Sequence, residues 1–140
     1  MTSNVKRAES TLSRQERRDL DIEIRFMEGL IRRDPAYVEA LQILAEDYTR
    51  RGKFKRGRVV DEQLVSLRPS DPQSHYNLAC SLSLCGDYEN AARAIEMAIQ
   101  MGFRDFRWLA RDPDLRPLRR SKHYRPIREK VRAMRIRIKD

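Results

Sequence analysis

Between residues 72 and 105, bulky apolar residues return every three or four positions along the chain, and polar residues fill the gaps. This spacing places side chains on one face of an α-helix. It predicts two helices with Gly86 at the turn between them, because glycine lets the backbone reverse direction. The positions that form the predicted buried stripe are Leu78, Leu82, Tyr88, Ile95 and Ile99.

Small residues stand among these bulky ones at Ala79, Ala91 and Ala98. Two antiparallel helices approach to about 8–10 Å only where some contact positions carry little side chain. We therefore expect the alanines at the crossing of the two helices. The whole pattern is interpreted as a packed core and not as a cofactor site.

The same pattern occurs once more, 34 residues earlier in the chain. The matched pairs are Leu44 with Leu78, Ala45 with Ala79, Gly52 with Gly86, and Phe54 with Tyr88. A 34-residue period of paired helices resembles the tetratricopeptide repeat (TPR) family. The resemblance implies an all-α fold, a right-handed α-solenoid of antiparallel helix pairs with about seven helices. Two full repeats would span residues 38–71 and 72–105.

The earlier repeat departs from the family pattern in its second helix, which is predicted at roughly 56–67. Gly57 stands where the pattern has alanine, Asp61 where it has an apolar residue, and Leu64 where it has a small one. A glycine inside a helix costs about 1 kcal/mol relative to alanine, which packing can offset. The residues that this helix is expected to turn toward a core are Val59, Val60, Leu64 and Leu67.

A long helix is predicted ahead of the repeats, at residues 14–34, with residues 1–13 as a flexible segment and residues 14–140 as a single domain. Ser13 and Glu16 have the spacing of a capping box. The register of this helix makes it the second helix of a preceding repeat whose first helix, in residues 4–12, is frayed or absent. We therefore expect it to cap the array. Its apolar positions are Leu20, Ile24, Met27 and Ile31.

The remainder of the chain, residues 106–140, is predicted to form a basic helical cap. Asp112 and Pro113 repeat the arrangement of Asp71 and Pro72, a helix N-cap followed by proline at the first helical position. The string W-L-x-x-D-P-D-L-x-x-L-R over residues 108–119 resembles a closing segment that follows TPRs in many bacterial proteins. The residues expected to cover the end of the last repeat are Trp108, Leu109, Leu115 and Leu118.

A last amphipathic helix is predicted beyond Ser121. Its apolar stripe contains Tyr124, Ile127, Val131, Met134 and Ile138. Its basic stripe contains Arg128, Arg132, Arg135 and Lys139. From residue 104 onward, basic residues exceed acidic ones by nine, which equals the net charge of +9 of the whole chain. A neutral body therefore carries a basic end.

Composition narrows the classes of protein that fit. The chain is 36% charged and 7% aromatic with 5 glycines, which favours a soluble helical protein. It has no secretory signal at its N-terminus and no stretch of about 18 apolar residues that could span a membrane, so we expect a cytoplasmic protein without a membrane partner. Cys80 and Cys85 are too few for a disulfide framework and are interpreted as free buried thiols.

In the TPR family, the first helices of the repeats line a concave groove that binds extended peptides or partner helices. Carried over by position, the first repeat contributes Glu39, Gln42, Ile43, Glu46 and Arg50, and the second contributes Gln73, Tyr76, Asn77, Cys80 and Ser83. Arg107, Ala110 and Arg111 could extend the groove. Tyr76 and Asn77 are the most informative, because tyrosine offers rigid contact area and asparagine pairs with peptide backbone. A solvated helix face would also carry polar residues, and that interpretation stays open.

One subtype of this family grips the C-terminal carboxylate of heat-shock chaperones with a clamp of lysine, arginine and asparagine. The corresponding positions in this chain are Ala8, Leu12, Ile43, Gln73 and Asn77. They contain no cation, so binding of that kind is not expected.

A second basic feature lies at the turn between the helices of the first repeat. Its members are Arg50, Arg51, Lys53, Lys55, Arg56 and Arg58. This turn could contact phosphate or an acidic protein. It could equally be a soluble turn whose charge is balanced by the nearby acids Glu46, Asp47, Asp61 and Glu62.

Catalysis finds little support in the sequence. His75 and His123 have no serine, cysteine or carboxylate at a spacing that suggests a catalytic pair, and glycine-rich phosphate loops and metal-ligand spacings are absent. We therefore predict a non-enzymatic adaptor without cofactors that binds a peptide or helix of another protein. The alternative is a nucleic-acid or ribosome accessory protein that uses Arg128, Arg132 and Arg135. An uncapped end of the array could also self-associate, and the N-terminal helix is the expected place for this contact.

Overall fold

The computed structural model describes residues 11–139, with side-chain surroundings as far as residue 136. Within this range every regular element is helical, which confirms the predicted all-α class. The α-helices are α1 (Arg14–Arg33), α2 (Val38–Arg50), α3 (Phe54–Leu67), α4 (Pro72–Leu84), α5 (Tyr88–Met101), α6 (Phe106–Leu109), α7 (Arg116–Arg119) and α8 (Arg125–Lys139), with 3-10 turns at Pro113–Leu115 and Lys122–Tyr124. The expectations for residues 1–10, Ala8 included, and for the side chains of Ile138 and Lys139 lie outside the described residues.

The chain divides into two compact units, of which one ends at Pro69 and the other begins at Ser70. The first contains α1, α2 and α3, and the second contains α4 to α8. The division falls at the junction of the two predicted repeats. In repeat proteins generally, each repeat contacts only the repeats next to it in the sequence. The single domain over residues 14–140 stays a prediction.

The helix boundaries have the 34-residue period that the sequence predicts. Helices α2 and α4 contain 13 residues each, and α3 and α5 contain 14 residues each. Helices α2, α4 and α6 begin at residues 38, 72 and 106, while α1, α3 and α5 end at residues 33, 67 and 101. The turns match as well, because Gly52 and Gly86 adopt φ angles of 80° and 83°. Such positive φ angles are open to glycine at little cost.

In the first unit, α1 and α3 pack against α2. The buried core residues are Ile24, Leu41, Leu44, Ala45, Tyr48, Val60 and Leu64. Gly57 is buried at a close contact between α3 and α2, since a Cβ atom there would lie 3.3 Å from Thr49 Oγ1. This glycine therefore takes the small-residue position that Ala91 occupies in the next repeat. Helix α1 begins with the predicted cap, in which the backbone N–H of Glu16 donates to Ser13 Oγ at 3.0 Å.

Helix α3 corrects two of the expectations for this unit. It begins at Phe54, two residues earlier than the sequence suggested. Val59 and Leu67, which were expected in the core, are 59% and 41% exposed. Asp61, by contrast, is buried at the position that corresponds to Ile95. The number of apolar residues in α3 is therefore larger than the number that the helix buries.

In the second unit, α4 and α5 meet along the three predicted alanines, and Ala79, Ala91 and Ala98 are fully buried. The core continues into the C-terminal part of the chain through Leu109, Leu115, Leu118 and Ile127, which are at most 1% exposed. Trp108 corrects the expectation for the end of the last repeat, since it is 44% exposed. Tyr124 is buried, and Val131 and Met134 pack against the core as the predicted stripe requires.

Helix α6 starts in register with α2 and α4 but ends after four residues. Asp112 then caps the 3-10 turn Pro113–Leu115, and its side chain accepts a hydrogen bond from the N–H of Asp114 at 3.0 Å. A longer α6 would place Pro113 in a helix interior, where proline lacks the N–H of the helical hydrogen bond and clashes with the preceding turn, so α6 cannot continue through this position as α2 and α4 do. In the described part of the chain, no helix is long and apolar enough to cross a membrane.

Candidate partner-binding surfaces

The sequence placed five groove residues on α4, and the structure puts one of them, Tyr76, in the core. Its side chain is only 3% exposed, and its ring stacks on Phe103 with centroids 4.4 Å apart. Its hydroxyl donates a hydrogen bond to Asp112 Oδ2 at 2.6 Å. Tyr76 therefore has no free ring face or hydroxyl for a partner, which corrects the expectation for this residue.

Two more predicted groove residues of α4 contact the same part of the chain. Cys80 Sγ donates to Asp112 Oδ2 at 3.6 Å, and Ser83 Oγ accepts from the N–H of Leu118 at 3.2 Å. Ser83 is fully buried. The face of α4 is thus covered by residues 112–118, which belong to the closing segment of residues 108–119.

The last two predicted residues of α4 lie outside this contact. Gln73 and Asn77 are exposed, and Gln73 Nε2 donates to Asn77 Oδ1 at 2.8 Å. Each side chain thus satisfies part of the other's hydrogen-bonding capacity. Arg107 and Arg111, the proposed extension of the groove, are exposed on and after α6.

Asp112 is a buried carboxylate at the centre of this contact, 5% exposed. Burial raises the pKa of Tyr76, and the neighbouring Cys80 and Asp112 add to the rise. Burial and the charge of Asp112 raise the pKa of Asp114 to about 6. A buried carboxylate that accepts from a hydroxyl, a thiol and a backbone N–H has the environment that such a group needs for stability.

Cys80, Asp112 and Asp114 also bring possible metal ligands within 4.8 Å of one another. Both oxygens of Asp112 already accept hydrogen bonds from Tyr76, Cys80 and Asp114. The arrangement fits a structural hydrogen-bond network better than a metal site.

The corresponding face of α2 differs because it is exposed. This α2 face comprises Glu39, Gln42, Ile43, Glu46 and Arg50. Ile43 is 37% exposed, and the side chains of Glu39, Gln42 and Glu46 form no hydrogen bond with any described residue. By the 34-residue period, Gln42 and Glu46 stand where Tyr76 and Cys80 hold the closing segment. The predicted groove residues of the first repeat therefore share one open surface.

The basic turn of the first repeat is partly neutralised. Arg51 Nε donates to Asp21 Oδ1 of α1 at 2.9 Å, and this interaction lowers the pKa of Asp21. Arg58 pairs with Glu62 at 3.2 Å, one of the acids expected to balance the turn. The pairing with Asp21 was not foreseen, since the two residues lie thirty positions apart. The exposed members are Arg50, Lys53, Lys55 and Arg56.

A buried acid, Asp47, lies where α1 packs on α2, although the sequence indicated only that this residue could balance the charge of the basic turn. Asp47 is 4% exposed, and its Oδ2 has no hydrogen-bond partner among the described residues. Burial, together with the hydrogen bond and charge of Glu23, raises the pKa of Asp47 to about 7. Nearby, the Tyr48 hydroxyl donates to Glu28 Oε2 at 2.5 Å. Ser81 stands 34 residues after Asp47 and has a neutral side chain, so the repeat pattern does not predict a buried acid at this position.

Helix α1 exposes two large apolar side chains, Ile22 (53%) and Phe26 (62%), on its outer side. They are one turn apart and therefore neighbours on the helix surface. Self-association through this helix stays a prediction.

The basic end of the chain is exposed at Arg128, Arg132 and Arg135. The guanidinium of Arg128 lies over the Tyr124 ring, 5.2 Å from its centroid. A cavity of about 510 Å³ adjoins these residues. Trp108, the single tryptophan, is exposed on α6 beside Arg107.

Comparison with known proteins gives a limited result. No family model matches the chain. A chloroplastic protein of Arabidopsis thaliana is 29% identical over 83 residues, a match that covers 57% of this chain and 25% of that protein. The chain thus matches about a quarter of the length of this relative.

Proposed function

We propose that this chain is a non-enzymatic interaction module with TPR-like helix pairs, which binds a peptide or helix of a partner protein on the α2 face. The supporting observation lies within the second repeat. There, the equivalent face of α4 holds the closing segment through Tyr76, Cys80 and Ser83. A first helix of this repeat type can therefore hold a stretch of chain laid against it, and the α2 face is open at the same positions.

The side chains of the α2 face suggest the chemistry of the partner. Helix α4 offers a hydroxyl and a thiol to a carboxylate, whereas α2 offers the carboxylates of Glu39 and Glu46. Complementary charge favours a partner segment with lysine or arginine at these points. The exposed Ile43 between them suits an apolar side chain of the partner. We therefore expect basic residues on either side of an apolar one.

Selection of peptides from a phage-displayed random library on the full-length protein tests this proposal. We expect enriched peptides to combine basic and apolar residues, and to bind the Glu39→Gln, Glu46→Gln double variant about tenfold more weakly, because two charge pairs are lost. The matched control is Glu16→Gln, an exposed glutamate of the same unit whose glutamine form can still take part in the helix cap. Peptides that bind the double variant as tightly as the natural sequence would refute the proposal.

A second candidate is the nucleic-acid or ribosome accessory function, and exposed Trp108 favours it. An accessible indole next to Arg107 and Arg111 is a combination that can stack on a base and contact phosphate. Titration with a single-stranded RNA oligonucleotide would quench the fluorescence of this single tryptophan, and the binding would weaken steeply with salt. The triple variant Arg128→Gln, Arg132→Gln, Arg135→Gln would lose this binding. Absence of salt-sensitive quenching would exclude the candidate.

A further inference from the structure

A cleft lies beside helix α8 in the second unit, with a volume of about 510 Å³. We call it the α8 cleft. Apolar and aromatic residues make up much of its lining, namely Phe106, Leu109, Ala110, Tyr124, Val131 and Ile136. Its volume falls within the range of about 300–1,000 Å³ typical of binding sites. It has room for a few side chains but not for a whole helix.

Four arginines complete the lining: Arg119, Arg128, Arg132 and Arg135. Two of them are held in position. Arg119 Nη1 donates to the carbonyl oxygens of Leu109 at 3.0 Å and Asp112 at 2.7 Å, and Arg128 lies over the Tyr124 ring. Their positions are thus largely set before any ligand arrives, which lowers the entropic cost of binding.

The positive charge at the α8 cleft is not balanced from within the helix. Glu129 is the single acid of α8, and it pairs with Arg125, which does not line the cleft. Arg132 and Arg135 have no ion-pair partner among the described residues. Arginines gathered around an apolar lining repel one another, and an anionic ligand would relieve this repulsion.

We propose that the α8 cleft binds an acidic amphipathic helix of a partner protein. Apolar side chains from one turn of that helix would enter the cleft, and carboxylates on either side would pair with the arginines. Arginine pairs with carboxylates in a two-point geometry, and apolar anchors supply most of the energy of such helix-in-groove contacts. This site is separate from the α2 face, and the inference does not depend on the proposed function.

Nucleic acid matches this cleft less well. Phosphate would pair with the arginines but leave the apolar lining unused. Tyr124 cannot serve as a stacking platform, because it is 5% exposed and Arg128 lies over its ring. An acidic helix uses both the charge and the apolar surface, whereas a nucleic-acid strand uses only the charge.

Binding of labelled synthetic helical peptides to the full-length protein tests the inference by fluorescence anisotropy. The probe carries leucines one turn apart flanked by glutamates. Its first twin replaces the glutamates by glutamine, and its second replaces the leucines by serine. We expect each twin to bind at least about tenfold more weakly, since each lacks one of the two kinds of contact.

Protein variants locate the binding. Arg132→Gln with Arg135→Gln should weaken the leucine–glutamate peptide about tenfold, and Ala110→Trp should do so by filling the cleft. The matched control, Arg116→Gln with Arg120→Gln, removes the same charge from exposed arginines that do not line the cleft. Equal loss in the control pair, equal binding of the glutamine twin, or displacement of the peptide by RNA with no effect of Ala110→Trp would each overturn the inference. Variants of Glu39 and Glu46 should leave this binding unchanged.

Discussion

Tyr76 and Asp112 lie 36 positions apart in the chain and meet in a 2.6 Å hydrogen bond between the tyrosine hydroxyl and carboxylate Oδ2. The bond joins helix α4 to the closing segment. Both residues are nearly inaccessible to solvent, so water cannot replace either partner. The contact therefore holds helix α4 and the closing segment together within the second unit.

Removal of this hydrogen bond should destabilise the second unit. Tyr76→Phe keeps the stacking on Phe103 but leaves the carboxylate with a weaker set of donors. We expect the free energy of unfolding to fall by about 1.5–3 kcal/mol, the usual contribution of a hydrogen bond to a charged group. Urea unfolding followed by circular dichroism measures it. Tyr37→Phe, at an exposed tyrosine, is the control and should have almost no effect.

Asp47 should make the first unit less stable as the pH rises. Its pKa in the folded protein is about 7, against an ordinary value of 3.8, so the folded state keeps a proton that the unfolded state releases between these two values. Stability therefore declines as pH rises through this window and stays low above it. Asp47→Asn should remove the decline and raise the free energy of unfolding at pH 8 by about 2–4 kcal/mol.

Melting curves of the full-length protein at pH 5 and pH 8 would follow this change. Asp19→Asn is the matched control, because it removes an exposed carboxylate from the same unit. An Asp47→Asn variant that melts no higher than the natural sequence at pH 8 would contradict the prediction.

Asp114 should contribute a second decline, in the second unit, that ends at a lower pH. Burial and the charge of Asp112 raise its pKa to about 6, so the folded state holds this proton up to a higher pH than the unfolded state does. The second unit then loses stability as pH rises from about 4 to about 6. Asp114→Asn should flatten this part of the profile in denaturant titrations between pH 4 and pH 7. Glu96→Gln should leave it unchanged.

Substitution by alanine should lower the stability of the protein at Gly86 and raise it at Gly29. Gly86→Ala forces a side chain into a φ of 83°, which costs about 1–2 kcal/mol. Gly29 lies inside α1, and a Cβ atom there would meet nothing closer than Arg32 Nη2 at 3.7 Å. Gly29→Ala should therefore stabilise the protein by about 0.5–1 kcal/mol, because alanine favours helix more than glycine does. Thermal unfolding of the two variants compares them directly, and a shift in the same direction would contradict this account.

Much of the helical framework could be predicted because its signals are local and repeated. Helical spacing and the pair Gly52 and Gly86 are visible in the sequence, and they correspond to the helix lengths and turns of the structure. The small residues at Ala79 and Ala91 were correctly placed at a helix crossing. For these residues, the position in the repeating pattern was enough to predict the structural role.

The site residues were predicted less well because their environment depends on distant parts of the chain. Tyr76 occupies a groove position by its number in the repeat, yet in the structure it is buried and hydrogen-bonded to Asp112, 36 positions away. Asp47 lies in an ordinary polar position of α2, but in the structure it is buried beside Glu23 of α1. Trp108 was expected to cover the core together with Leu109, Leu115 and Leu118, but only the three leucines are buried. No local pattern encodes these contacts.

Helix α6 starts in the phase of a third repeat and stops after one turn, and the residues that follow it occupy the face of α4. This ordering restricts how the protein can be lengthened by duplication. A copied unit joined after the closing segment would find its docking surface already taken. The copy has to be inserted ahead of Phe106. The residues that follow α6 can then cover the first helix of the last repeat, as they cover α4 in this protein.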